Sequence, residues 1–276
     1  VESGDRPRLP TTEPADCRLP NATLEAAAMA GHSKFANIMH RKGAQDKKRA
    51  QLFTKIAREI QAAVRLNGPD PTGNPRLQRA IAAGRAENMP KDNIQRAIDR
   101  GAGGGGENLE EIRYEGFGPA GVGIIVECLT DNRNRTAGDV RAAFAKNGGN
   151  LGETNSVSFL WDRVGEIRYP LKAADEDSML EAAIEAGADD CALEEGEHII
   201  ACTVSSIADV TSALAARFGE PASAKLVWRP RTNVPVSGDA AQSLARLLST
   251  LDDLDDVQNV YSNLEMSDAE LARLET

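Results

Sequence analysis

The sequence predicts an α+β chain in which a small amino-terminal helical domain precedes two α/β, ferredoxin-like domains, one inserted in the other. Three observations lead there. Apolar residues recur at every fourth position over 52–64 and continue into two further short amphipathic stretches, the period of packed helices. From Ile112 the pattern changes to short strand-like runs separated by helical ones. Near the carboxyl end a helix-then-strand remnant completes the two strands and helix of residues 110–150.

The elements follow in order. Leu52, Ile56, Ile60 and Val64, with Phe53, Ala57 and Ala63 beside them, form one amphipathic helix that Asn67-Gly68-Pro69 ends. A second helix runs from about Pro75 to Glu87, with Leu77, Ala80 and Ile81 inside and Arg76, Arg79 and Arg85 outside. A third has Pro90 in its first turn, an Ile94, Ala97 and Ile98 stripe, and an end at Gly101. The run GAGGGG at 101–106 formally fits a dinucleotide fingerprint, but that motif needs a strand before it and a helix after it. Here a helix precedes, so the run reads as an interdomain linker.

Ile112 to Glu115 and Val122 to Leu129 read as paired strands, and Arg135 to Lys146 as a helix closed by Asn147-Gly148-Gly149. Val157 to Trp161 and Glu166 to Tyr169 read as a second hairpin. A helix at Met179 to Ala186, a strand at His198 to Val204, a helix at Ala208 to Phe218 and a strand at Ala224 to Arg229 then give a ββαβαβ unit. Leu244, Leu247, Leu248 and Leu251 line one face of a last helix, before a strand at Val257 to Tyr261. The expected division is an extension over 1–28, a basic arm and helical domain over 29–105, a split domain over 108–155 with 233–276, and an inserted domain over 156–232.

Charge is sorted along this chain. The formal net charge is -10, yet residues 29–105 carry 15 Lys and Arg against 6 Asp and Glu, a local excess of +9. Residues 106–276 carry 14 against 31, or -17. A cationic segment on an acidic body is the footprint of a face that meets polyphosphate. No run of 18 apolar residues occurs, which excludes a membrane-spanning helix. The four cysteines Cys17, Cys128, Cys191 and Cys202 lie at neither CxxC nor zinc spacing and read as reduced thiols of a cytoplasmic protein. Residues 1–28 have four prolines, five acids and no apolar period. They read as a disordered extension ahead of a natural start near Met29.

Candidate contacts follow from side-chain chemistry. Lys47, Lys48, Arg49, Lys55 and Arg58 suit phosphates, since flexible cations neutralise backbone charge without reading bases. Lys34, Asn37, Arg41, Lys42, Arg76, Arg79 and Lys91 extend that set. His32 and His40 lack ligand-spaced neighbours, so phosphate or base contact, or plain exposure, is expected rather than a metal. Phe35 either stacks on a base or anchors the arm. The second and third helices resemble a helix-turn-helix loosely, the latter offering Asn93, Gln95, Arg96 and Arg100 for base edges. Arg133 and Arg135 open a helix where a phosphate would fit, while Asn134 or Thr136 would cap it. No nucleophile–base pair, HExxH, GxSxG or P-loop is present, and the acid pairs Asp189-Asp190, Asp252-Asp253 and Asp255-Asp256 read as solvated. Neither an enzyme activity nor a cofactor is nominated.

Longer motifs carry a resemblance. AGHSKFANIMHRKGAQDKKR, LFTKIAREI, NPRLQRAI, NMPKDNIQRAI, YEGFGPAGVGIIVE, LTDNRNRTAGDVR, NGGNLGETNSVSFLWDR and LDDLDDVQNVYSN together resemble the YebC/PmpR family from Met29 to Met266. The resemblance implies three domains around a cleft and a DNA-binding transcriptional regulator that acts on promoter regions. It equally implies kinship with the mitochondrial translational activator of cytochrome c oxidase I and with factors that meet ribosomal RNA or tRNA on the ribosome. Oligomeric state, monomer or weak dimer, is left open. The chain departs from the family at Phe35, where many members carry Trp, at the stiffer loop Asp70-Pro71-Thr72, and over residues 1–28, which have no family counterpart.

Overall fold

The computed structural model describes residues 45–103, 108–194 and 196–275, with backbone alone at 45–48 and 275. His32, Lys34, Phe35, Asn37, His40, Arg41 and Lys42, the extension 1–28 with Cys17, and the glycines of 104–106 lie outside the described residues, as do the side chains of Lys47 and Lys48.

Three helices build the first unit: α1 (Gln45–Asn67), α2 (Pro75–Ala86) and α3 (Lys91–Ala102). Helix α1 starts at Gln45, earlier than its apolar stripe, so the end of the basic stretch up to the exposed Arg49 is helical. It stops at Gly68, whose φ of +86° suits glycine and whose amide donates to the Val64 carbonyl at 2.7 Å. Asn74, fully buried, joins the helices. Its Oδ1 accepts the Leu77 amide that opens α2, and its Nδ2 donates to the Ala63 and Gly68 carbonyls. Gly101 belongs to α3 rather than to a linker, for a Cβ there would meet the Val64 side chain at 2.8 Å and the Gln61 carbonyl oxygen at 3.0 Å. Ile56, Ile60, Val64, Leu77, Ile81, Met89 and Ile94 pack into one core closed on itself.

The second unit begins with β1 (Glu110–Phe117) and β2 (Gly123–Thr130), antiparallel from Glu110↔Thr130 to Phe117↔Gly123. Helix α4 (Arg133–Lys146) and the short β3 (Asn150–Leu151) follow, and the chain leaves for the inserted unit. It returns through β8 (Val234–Pro235), α7 (Gly238–Asp252), β9 (Val257–Ser262), β10 (Leu264–Glu265) and α8 (Asp268–Glu275). Strand β9 pairs antiparallel with β2, giving the order β3-β1-β2-β9, so the carboxyl-terminal remnant does complete the earlier sheet. Helices α4 and α7 cover one face with Val140, Phe144, Leu244, Leu247 and Leu251 against Ile124, Val126 and Cys128.

The inserted unit corrects the predicted strand order. It is βαββαβ, from β4 (Trp161–Pro170), α5 (Glu176–Glu185), β5 (Asp190–Glu194), β6 (Glu197–Cys202), α6 (Ile207–Phe218) and β7 (Ser223–Pro230), in the sheet order β5-β6-β4-β7 of a ferredoxin-like fold. Val157 to Trp161 is no strand. The buried Glu115 carboxylate accepts the Val157 and Ser158 amides at 2.9 Å each, so Ser158–Leu160 turns as a 3₁₀ element and β4 runs on as one strand. Gly165 sits inside that strand because Cys202 Sγ and Ile207 approach within 3 Å of where a Cβ would be. Strand β5 escaped prediction because DCALE holds no β-branched or aromatic residue; its hairpin with β6 makes it a strand.

Candidate nucleic-acid interface

The helical unit carries cations of two kinds. Arg49 is exposed near the start of α1, its guanidinium 5.3 Å over the Phe53 ring. Arg79, Arg85, Lys91, Arg96 and Arg100 are likewise exposed and form no ion pair with an acid among the described residues. Surrounding protein lowers the Arg79 pKa by desolvation; Glu59 opposes that and Arg76 adds to it. Arg76 itself is held inside the molecule, gripping both oxygens of Glu59 at 2.6 and 2.9 Å and reaching Glu111 on β1, and its pKa rises, led by the Glu59 hydrogen bond.

Helix α3 presents an outer edge of mixed charge. Its apolar stripe Ile94, Ala97 and Gly101 faces the core, which places Asp92, Arg96 and Asp99 on the outermost ridge. Gln95 donates to Asp99 at 2.9 Å, and Arg96 is turned onto Asn93 Oδ1 and the Asp92 carbonyl. Asn93 is half-buried, and Arg96, Arg100 and Lys91 are exposed without an acidic side-chain partner among the described residues.

Lys55 and Arg58 answer acids of the same chain. Both are largely covered, at 13% and 15% side-chain exposure, against the turn between α7 and β9. Gln51, Lys55 and Arg58 form one stripe of α1. Gln51 Nε2 donates to the Asp253 carbonyl, Lys55 Nζ to the Asp252 carbonyl and carboxylate, and Arg58 Nη1 to the Asp255 carbonyl and to Asp256 Oδ1 at 2.7 Å. Of the acid pairs predicted to be solvated, Asp189, Asp253 and Asp255 are exposed, while three members are corrected: Asp252 pairs with Lys55, Asp190 with Arg229, and Asp256 is buried. Asp256 also accepts from Arg135, Thr130 and Thr136. Burial alone would push its carboxyl up, yet the Arg135 and Thr136 hydrogen bonds, the Arg58 charge and the Thr130 hydroxyl outweigh that and hold it below its ordinary value.

The segment Asp131–Thr136 follows the capping alternative, though through a different residue. Asn132, not Asn134 or Thr136, accepts the Arg135 amide at 3.1 Å, and its own amide donates to Thr130. Arg135 is fixed between Asp131 at 2.7 Å and Asp256 at 2.8 Å. Arg133 stays 70% exposed, with Glu110 at 3.9 Å.

Elsewhere the chemistry is structural. Trp228 lies between the guanidiniums of Arg113 and Arg163, at 4.9 and 5.0 Å, and donates Nε1 to Glu127, which also accepts from Arg163 and Asn259. On the inserted sheet, the face away from α5 and α6 shows Glu166, Arg168, Glu194, Glu197, Lys225 and Arg229, with no aromatic ring among the described residues. His198 is buried, with Nε2 at 3.0 Å from the Ala174 carbonyl oxygen, as a structural residue would be. Desolvation raises the Cys128 thiol to about 12 and Cys191 to about 11. Among the described residues no cluster of three potential metal ligands occurs, and no helix is long and apolar enough to cross a membrane.

Reading from sequence placed Arg85 outside its helix but not among the candidate contacts, and it missed Gln51, Asp252 and Asp256 as partners across α1. One signal was available: four acids at and just beyond the carboxyl end of α7 oppose the helix dipole and call for cations from elsewhere.

Residues 33–104 match the family model described as the TACO1/YebC protein N-terminal domain, and residues 109–264 the model described as the TACO1/YebC second and third domain. The chain is 56% identical over 253 residues to a Maricaulis maris (strain MCS10) protein named probable transcriptional regulatory protein Mmar10_2433, covering 90% of this chain and all of that one. It is also similar to the crystal structure of a conserved hypothetical protein, Aq1575, from Aquifex aeolicus, with a TM-score of 0.76 and 43% identity over 83% of this chain and 95% of that one.

Proposed function

The chain belongs to the TACO1/YebC family, and from that membership together with its open cations we propose that it is a non-enzymatic, nucleic-acid-binding regulator of gene expression, acting on promoter DNA as a transcriptional regulator. One observation carries the reading. Arg49, Arg79, Arg85, Lys91, Arg96 and Arg100 stand exposed on a single small domain without acidic partners among the described residues, on a chain of net charge -10. Such cations keep their counterions until phosphates replace them, and the released ions drive binding. The acidic remainder repels polyphosphate and confines contact to this domain.

A second reading, a ribosome-associated factor contacting RNA, draws on the outer ridge of α3. Asp92 and Asp99 there would face the phosphates of a duplex whose major groove the helix entered, whereas cations spread over several faces suit an irregular RNA surface. Sequencing of both DNA and RNA crosslinked to the protein in cells separates the two: promoter-enriched DNA supports the first, ribosomal RNA or tRNA the second. The common reading is tested with Arg79→Glu and Arg85→Glu together. Binding should weaken and the log–log salt slope should flatten by about 0.9 for each lost duplex contact. An unchanged slope would remove this surface from the interface.

A further inference from the structure

We propose that the Gln51, Lys55 and Arg58 stripe of α1 is a second polyphosphate-binding surface, covered in this conformation by the α7–β9 turn, which stands in for phosphate. The inference rests on the reading of the helical domain as the nucleic-acid-binding part and adds how that part is held back.

The turn has the chemistry of an anion. Helix α7 ends at Asp252, where its unpaired carbonyls carry partial negative charge, and Asp252, Asp253, Asp255 and Asp256 add carboxylates to that end. Acids at a helix carboxyl terminus are electrostatically unfavourable by themselves. Here α1 neutralises them. Lys55 takes the Asp252 carbonyl at 2.9 Å and its carboxylate at 2.7 Å, Gln51 takes the Asp253 carbonyl at 3.2 Å, and Arg58 takes Asp256 at 2.7 Å. These donors contact carbonyl and carboxylate oxygens as they would contact phosphate oxygens.

The cover can lift because the helical domain keeps its own core when the turn moves away. Its core is separate from the cores of the other two units. Among the described residues, the side-chain hydrogen bonds and ion pairs that join it to the split unit are the stripe itself, Arg76 with Glu111, and Arg65 with Asn108, while α2 also lies against β7 of the inserted unit. A polyanion arriving on Arg49 and its neighbours therefore competes with the turn for Lys55 and Arg58, and winning that competition enlarges the contact surface.

The experiment is a double-mutant cycle on the full chain, using Asp252→Lys and Lys55→Gln, with fluorescein-labelled duplex DNA in one arm and a labelled RNA hairpin in the other. Asp252 is chosen because its carboxylate serves Lys55 while Asp256 anchors four groups, and because lysine at a helix carboxyl end is well tolerated. With Lys55 present, Asp252→Lys should tighten binding by roughly tenfold at low salt and steepen the log–log slope by about 1. In the Lys55→Gln background that gain should vanish. Equal gains in both backgrounds would mean that net charge alone acts, and no gain in either would mean that the turn is only a structural seat; both overturn the inference while leaving the open cations intact. A wild-type chain that binds neither probe, with Asp252→Lys equally inert, would sink the proposed function and this inference together. The arm that shows the gain identifies which nucleic acid the uncovered stripe accepts.

Discussion

The molecule has two interdomain junctions of different character. The split and inserted units meet through Ile125, Val157 and Trp161, with Leu160, Trp228 and Tyr261 packed around them and the Arg163–Glu127 ion pair beside this apolar seam. The helical unit meets the split one through Gln51, Lys55, Arg58, Arg65 and Arg76. Apolar burial is not weakened by ionic screening, whereas ion pairs near the surface are. The contrast teaches that two of the three units share an apolar seam and make one frame, whereas the third is joined to the split unit chiefly through polar side chains.

The largest expected effect breaks the apolar junction. Trp161, 3% exposed, changed to Ala should cost about 3–5 kcal/mol, read as a lower denaturant midpoint for the frame. Next, Leu77→Ala removes a fully buried side chain from the helical core and should cost about 2–5 kcal/mol. If the two regions unfold separately, that loss appears in a transition of its own while the frame's transition stays put; one merged transition would deny the contrast.

Acid sharpens the comparison further. The Asp256 carboxyl is held below its ordinary 3.8 in the folded chain, so its stabilising contribution is full above that value. It is lost as pH falls through the lower folded-state value, because the unfolded chain binds the proton first. The Arg58 and Arg135 contacts should therefore loosen below about pH 4 ahead of the Trp161 cluster, which hydrogen exchange can follow residue by residue. The smallest effect is that of salt. Partly exposed ion pairs contribute about 0–1 kcal/mol each, so raising ionic strength should modestly speed amide exchange over Asp252–Asp256 and change it less around the buried Trp161. Exchange at the turn that ignores salt would show that the helical unit is held by something other than charge.

Much of this was legible in the chain. Leu52, Ile56, Ile60 and Val64 share one face whatever surrounds them, so α1 could be read directly, as could α7 from Leu244, Leu247, Leu248 and Leu251. Strand β5 could not, because Asp190-Cys191-Ala192-Leu193-Glu194 has no strand preference apart from its partner β6. Val157 was misread as strand because its apolar side chain gives no sign that a carboxylate 42 positions earlier holds its amide. Among the candidate contacts, Arg79, Lys91 and Arg100 lie open as expected, while Lys55, Arg58, Arg76 and Arg135 are engaged by acids far along the chain.

What the sequence determined by itself was local: the helical period, the turn residues and the sorting of charge into a cationic segment and an acidic remainder. Those depend on neighbours within a few positions, and net charge is a sum that folding does not change. Which cations face solvent and which face Asp252 or Asp256 was decided only by the tertiary structure. Pairing across nearly 200 residues depends on where α7 ends in space, and no spacing along the chain encodes that.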